Sequence, residues 1–265
     1  MHVRGREHRM SEVQPSVSVP SVSVMGVRID LMTALEAREA ALSGRLLGLV
    51  VTPNVHGIIQ ANRDPAMMQT FQAAEHSFCD SRIVQKLVSL VGIKVPLVTG
   101  SDLTRELFDD PRIRSLRVCM IGGQPWYGEG LRKKFGCQAL HQVDFPYQKH
   151  FADEEIERIC RAIPGDYDLV FVCLGDPLQS RVATMLQKLD RARFPLLLCV
   201  GASVDFILGA KKRAPVWLQR LHMEWLFRLA TEPRRLYRRY LVEDIHIFPL
   251  FLRWARERAR TGGAR

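Results

Sequence analysis

The sequence predicts an α/β fold: a mostly parallel sheet flanked by helices, followed by a basic helical appendage at the C-terminus. From about residue 25 onward, short apolar runs of strand length alternate with longer stretches of helical spacing, and parallel strands need such crossovers between them. The runs are apolar without interruption, which places the sheet centrally with both faces covered. After Gly201 the texture changes: no further strand-like run occurs, and the chain becomes dense in Arg, Trp, Leu and Phe.

Taken in order, residues 1–24 mix Ser, Val and Pro without the continuous apolar core of a signal peptide, so they read as a disordered tail without a targeting role. Apolar runs predict strands over 24–29, 46–51, 76–79, 116–121, 137–141, 169–174 and 195–200. Helical spacing fills the gaps at 31–43, 64–74, 82–91, 126–135, 153–162 and 177–191, with Gly or Pro near several boundaries. Beyond the last strand, 217–230 and 233–259 read as helices. The division is therefore a tail (1–24), a Rossmann-like core (25–206) and a basic appendage (207–265).

Length and composition agree with this reading. At about 100 to 200 residues per domain, 265 residues make one large domain or one with an appendage. Apolar residues at 47% and charged residues at 25% are globular averages, which disfavours global disorder, collagen-like repeats and coiled coils. The formal charge of +10 is a C-terminal property: residues 201–265 hold 14 Lys+Arg against 6 Asp+Glu, leaving +2 for the rest. That concentration points to phosphate groups, whether of nucleic acid, anionic lipid or a diphosphate ligand. The longest apolar stretch, around 194–204, is well short of the roughly 20 residues that cross a bilayer, and Asp205 follows it. The six cysteines lie 13 or more positions apart with no C-x-x-C pair, which argues against zinc and for structural thiols in a reducing compartment.

Ligands of open α/β sheets bind beyond the carboxyl ends of the strands, so the residues after each run are the candidates. Thr52-Pro53-Asn54 offers two short polar side chains that equally suit helix capping. Asp80 follows the 76–79 run; a carboxylate there can be a general base or an N-cap. Gly122-Gly123-Gln124-Pro125 brings backbone amides to a helix start, where a diphosphate could sit, although a tight turn explains it as well. Gly175-Asp176-Pro177-Leu178-Gln179 places Gln179 in a first helical turn at the same edge. Asp166-Tyr167-Asp168 has the D-x-D form of metal-dependent sugar transferases, but it precedes its strand and belongs to the opposite edge. In the appendage, Arg228, Arg234, Arg235, Arg238 and Arg239 interleave with Trp217, Trp225, Phe227, Tyr237 and Tyr240, as in a phosphate pocket, a membrane-interface surface or a solvated charged face.

These pieces, with Val98-Thr99-Gly100-Ser101-Asp102-Leu103, Val204-Asp205-Phe206, Lys212-Arg213-Ala214-Pro215, Glu224-Trp225-Leu226-Phe227-Arg228-Leu229 and the run from Glu232 to Tyr240, occur in the order seen in the WecG/TagA/CpsF glycosyltransferases, which the chain resembles from about residue 25 to 253. The resemblance implies an inverting, metal-independent transferase with no cofactor. It would move a sugar from a nucleotide donor, usually a UDP-sugar, to a sugar on a polyprenyl diphosphate in surface polysaccharide biosynthesis. By the same resemblance Asp80 is the catalytic base and Thr52, Asn54 and Gln179 line the pocket. Gly122, Gly123 and Asp205 complete the substrate-binding set, and Arg228, Arg235 and Arg238 hold the diphosphate. It further implies a cytoplasmic protein, peripheral at the inner face of the cell membrane through its C-terminal helices, with no nucleic acid as partner; oligomer formation stays open.

Several positions depart from the family pattern. Leu97 stands for an Arg before Val-Thr-Gly, Ser81 for a Gly after the base, and in the Gly-Ala-Pro-Lys-Gln-Glu segment Leu178 and Ser180 replace Lys and Glu. Such changes alter donor or acceptor choice or lower activity; Arg82 or Lys94 are candidates to compensate. The alternative reading is accordingly a catalytically impaired subunit that binds nucleotide-sugar or lipid.

Overall fold

The structure is a computed structural model that describes residues 18–261, except 147, 149, 191, 213, 216 and 219–222. It opens with an antiparallel hairpin, β1 (Ser21–Val24) and β2 (Val27–Asp30). Met25 and Gly26 make the turn, both at positive φ (50° and 84°), as a two-residue turn between twisted strands requires. This corrects both the single strand expected over 24–29 and the tail boundary at 24. Val24, Val27 and Ile29 are all fully buried, and Met-Gly carries none of the Asn-Gly or Asp-Gly signal that marks such turns. Residues 1–17 of the expected tail lie outside the described residues. Buried Asp30 ties the hairpin to the sheet through His76, at 3.0 Å, and Arg28 reaches the Ala74 carbonyl at 2.7 Å.

The core then alternates as the pattern demands. Helix α1 (Ala34–Leu42) starts at a Thr33/Glu36 capping box. It is followed by β3 (Gly48–Val51), α2 (Val55–Ala61), α3 (Pro65–Ala73), β4 (His76–Ser77), α4 (Arg82–Ser89) and α5 (Gly100–Asp109). After a 3-10 turn come β5 (Val118–Gly122), α6 (Tyr127–Phe135), β6 (Leu140–Val143), α7 (Asp153–Arg161), β7 (Leu169–Cys173), α8 (Leu178–Leu189), β8 (Leu196–Cys199) and α9 (Ser203–Ile207). The six-stranded sheet has the order β4-β3-β8-β7-β5-β6, with every pairing parallel. Helices α2, α5 and α9 were not expected. The first and last have only seven and five residues, too short for an amphipathic period to show.

Strand alternation splits the core into two layers. Leu49, Val51, Cys119, Ile121, Val170, Val172, Leu197 and Cys199 face one layer with α2, α3, α4, α7 and α8. Val50, Met120, Phe171 and Leu198 face the other with α1, α5 and α6. Five of the six cysteines are buried and Cys173 is half-buried, all as free thiols; burial pushes Cys79 up to about 11, the behaviour of a packing residue rather than a nucleophile.

After α9 the C-terminal segment forms α10 (Glu224–Thr231), α11 (Pro233–Arg238), a π turn over Arg239–Glu243, a 3-10 turn over Asp244–His246, and α12 (Ile247–Arg260). The single helix expected over 233–259 is thus interrupted where the chain swings onto α2, and His56 of α2 meets Asp244 there at 2.9 Å. Of the helix expected over 217–230, residues 219–222 lie outside the described residues.

Helix α12 is no loose appendage: Ile247 and Phe251 join the core layer that holds Val55, Ile58 and Ile59 of α2. Deleting 217–265 would therefore strip the core as well as any lipid contact. Truncating Phe251 (6% exposed) to Ala should cost about 3 kcal/mol or more in urea unfolding. The neighbouring Phe248→Ala (50% exposed) should stay within about 0.5 kcal/mol.

Candidate active site

A parallel sheet delivers every strand-end loop to one edge, and the candidates from distant parts of the sequence meet there. Thr52 ends β3 and its hydroxyl donates to the Cys199 carbonyl of β8 at 3.3 Å. Asn54 is the N-cap of α2, its side-chain oxygen accepting from the Gly57 amide at 3.0 Å; of its two readings the geometry shows the cap. For Asp80 it shows the reverse, because Ser81 is the N-cap of α4, accepting from the Val84 amide at 3.2 Å. The carboxylate of Asp80 is thereby left for the edge, and the residue in the family's Gly position does the capping.

Asp80 is held in place by its backbone, whose amide donates to the Pro53 carbonyl at 3.1 Å, while Val98 donates to Cys79 at 3.0 Å. Protein surrounds its carboxyl, although the residue as a whole is only half-buried. Burial pushes its pKa up to about 7, with lesser contributions from Asp102 and Glu224, against the pull of the Arg228 guanidinium and a hydrogen bond from the Gly100 N–H. Gly100 packs closely here: a Cβ there would lie 3.1 Å from the Thr52 hydroxyl, which would have to give way by a few tenths of an ångström. The cation beside Asp80 is thus Arg228 of α10. Arg82 and Lys94, the two suggested compensators for Leu97, are both exposed, and neither is among the groups that shift Asp80.

Gly122 and Gly123 both sit at positive φ (84° and 82°). A Cβ on the first would overlap Leu174 at 2.5 Å, and one on the second the Tyr127 ring at 2.7 Å. Gln142 straps this turn, accepting from the Gly128 amide at 2.6 Å and donating to the Gln124 carbonyl at 2.9 Å. Gln179, buried in the first turn of α8, accepts from the Gly201 amide at 2.7 Å, tying the loops after β7 and β8 together. Asp205 of α9 takes Tyr127 Oη at 2.9 Å and Lys211 Nζ at 2.6 Å. Tyr127 and Lys211 were not singled out from the sequence.

The arginines separate. Arg228 lies over the Phe206 ring at 4.8 Å, and its charge lowers the pKa of Asp80. Arg235 pairs with Glu232 at 2.5 Å, and Arg238, 83% exposed, with Glu243 at 3.3 Å. Arg239, left out of the candidate set, reaches Asp244 at 3.8 Å and draws down the pKa of Asp176 on the loop after β7. Asp166 and Asp168 occupy the opposite edge, with Arg117 bonded to Asp168 at 3.0 Å and Arg193 near Asp166 at 3.7 Å. The D-x-D stretch is part of that ion-pair cluster.

A parallel α/β sheet with a desolvated carboxyl at its carboxyl edge, within electrostatic reach of a guanidinium, has the layout of a ligand site. The chain matches the model of the glycosyl transferase WecG/TagA/CpsF family over residues 22–261 and belongs to that family. It is a glycosyltransferase, of the kind that works in polysaccharide biosynthesis.

The raised pKa of Asp80 carries a stability signature. Its folded value of about 7 exceeds the usual unfolded value near 3.9, so the folded state binds the extra proton between them and stability falls as pH rises through that window. Asp80→Asn removes this loss. Its melting temperature should exceed that of the wild type by a few degrees at pH 8, with the gap growing from about pH 4 to pH 7 and level above, as read by thermal scans across pH.

Proposed function

We propose that the protein transfers a sugar from a nucleotide-sugar, a UDP-sugar by the family resemblance, to the hydroxyl of a sugar carried on a polyprenyl diphosphate, with inversion. The observation that supports this reading is the desolvated Asp80 carboxyl at the carboxyl edge of the sheet, within electrostatic reach of the Arg228 guanidinium. In the reaction Asp80 takes the proton of the acceptor hydroxyl, whose oxygen attacks the anomeric carbon. The bond to the diphosphate breaks from the opposite side, and the nucleotide diphosphate leaves with the bonding electrons. Arg228 meets the charge that develops there. Gly122 and Gly123 give the donor close backbone approach, Thr52 and Asn54 line the cleft, Gln179 holds the Gly201 loop, and Asp205 acts through its bonds to Tyr127 and Lys211. Arg235 and Arg238 serve the acceptor's diphosphate once they leave their surface carboxylates.

The acceptor's lipid fits the outer side of the C-terminal segment. Tyr237, Leu241, Ile245, Phe248 and Leu252 recur at helical spacing and all are exposed, among arginines that suit an anionic surface. No helix among the described residues is long and apolar enough to cross a membrane, which fits peripheral attachment at the inner face of the cell membrane. Leu97, Leu178 and Ser180 favour the second reading, a binding subunit that has lost turnover.

Nucleotide release from a panel of UDP-sugars, with and without a short polyprenyl-diphosphate-linked sugar, separates the two. Acceptor-dependent release that drops at least about 1,000-fold in Asp80→Asn, with inverted anomeric configuration in the product, supports transfer. Nucleotide binding without release from any donor supports the subunit. A base with a pKa of about 7 also sets the pH profile. The value of kcat/KM should fall about tenfold per pH unit below that point and be level above it. Because Arg228 holds the pKa down, Arg228→Ala should move the midpoint to higher pH as well as lowering the plateau.

A further inference from the structure

The loops beyond β5, β7 and β8 do not leave the sheet in the same direction. Strand β7 lies between the other two. Its loop leads to α8, whose Val182, Ala183 and Leu186 pack in one core layer. The loops on either side lead to α6 and α9, whose Tyr127, Leu131, Val204 and Ile207 pack in the other. Neighbouring loops that part to opposite faces open a crevice beyond the strand ends, and open α/β sheets take their ligands at such a point.

The polar contacts there run in one chain. Gly123 turns against the Tyr127 ring so tightly that a Cβ would lie 2.7 Å from it. Tyr127 Oη donates to Asp205 Oδ1 at 2.9 Å, which joins the loops on either side of β7. Asp205 Oδ2 takes Lys211 Nζ at 2.6 Å. Lys211 returns to α9 because Gly209 turns the chain at a φ of 75°, and the Lys211 amide donates to the Asp205 carbonyl at 3.0 Å. On the next residue of the same helix, the Arg228 guanidinium lies over the Phe206 ring at 4.8 Å. Two cations from different parts of the C-terminal segment thus converge on neighbouring residues of α9. The Lys211 side chain is 39% exposed, and among the described residues its ammonium, a triple donor, has Asp205 as its one ion-pair partner.

Building on the nucleotide-sugar donor of the transferase reading, we propose that Lys211 binds the diphosphate of that donor. Asp205, oriented by Tyr127, is the counter-ion that keeps the ammonium at the crevice in the free protein. When the nucleotide arrives, a phosphate oxygen takes the ammonium that Asp205 held, a charge-assisted bond exchanged for another. The diphosphate is the donor's, because the chain of contacts that ends on Lys211 begins at the glycine turn of the core. Arg235 and Arg238, assigned to the acceptor, pair instead with carboxylates of the C-terminal segment itself.

The test is isothermal titration of the full chain with UDP and, by competition, with uridine, which lacks the phosphates. Lys211→Met should raise the Kd for UDP about tenfold and that for uridine less than about twofold. Lys211→Arg keeps the charge and should stay within about threefold of wild type for UDP. Asp205→Asn keeps an acceptor for Tyr127 and removes the competing charge, so UDP should bind about threefold tighter. An ion pair that only ties the loop down gives a different pattern: Lys211→Met and Asp205→Asn then both weaken UDP and uridine alike, which overturns the proposal. So does a Kd for UDP that Lys211→Met leaves unchanged; if its KM for the polyprenyl-diphosphate acceptor rises instead, the contact belongs to the acceptor. Lys211→Gln takes the place of Lys211→Met should the latter lose its cooperative melting transition. A wild type that binds UDP and transfers from no donor removes the transferase reading, and the titrations still decide the role of Lys211. A wild type that binds no UDP overturns both.

Discussion

Desolvation of one carboxylate organises this edge of the molecule. Asp80 is pressed by surrounding protein toward its neutral form and drawn back by the Arg228 guanidinium and the Gly100 amide. A carboxyl balanced near neutrality can accept a proton at working pH, which a freely hydrated Asp does poorly and a fully buried one not at all. The balance is built from backbone: Ser81 takes over the capping of α4, Pro53 and Val98 fix the strand on either side, and Gly100 brings α5 close enough for its amide to donate. Glu224 and Asp102 oppose Arg228, so the C-terminal segment shifts this carboxyl with both signs of charge.

The strand order explains why the site draws on such distant parts of the chain. With β8 between β3 and β7, the loops carrying Thr52, Gln179 and Gly201 become neighbours although the first and last lie 147 or more positions apart, as the Thr52 to Cys199 bond shows. Two straps then stiffen the edge. Gln179 joins the β7 and β8 loops, and Tyr127, Asp205 and Lys211 join the β5 turn to the start of the C-terminal segment. Each strap uses a buried or half-buried polar group with its partner in reach, so orientation is set before any ligand arrives.

The layering, the parallel sheet and the edge were legible in sequence because uninterrupted apolar runs and glycines at strand ends are local signals. Asp80 and Gln179 were legible by position after a strand. The hairpin turn was not, since Met25 at positive φ leaves no compositional mark, nor were α2 and α9, each too short for a period. Above all, the arginines could not be sorted. Spacing puts Arg228, Arg235, Arg238 and Arg239 in one basic cluster, and only packing shows that Arg228 lies over Phe206 while Arg238 meets solvent. By the same limit sequence could not show that Ser81, in the family's Gly position, caps α4 and so leaves the Asp80 carboxyl to the edge.

The C-terminal segment joins these themes. It is secured at one end by Arg228 over Phe206 and at the other by Ile247 and Phe251 in the core. Between them, among the described residues 224–246, Leu236 alone is buried, and the remaining links to the core are charged groups in partial contact with water. Few buried apolar contacts and solvent-reached polar ones define the low-stability end of a fold. The span from α10 to the 3-10 turn is therefore held by less apolar packing than its anchors, which share the stability of the core. Displacing that span would carry the Arg228 guanidinium away from Asp80 and so raise the pKa of that carboxyl, while the sheet and its two layers stayed packed.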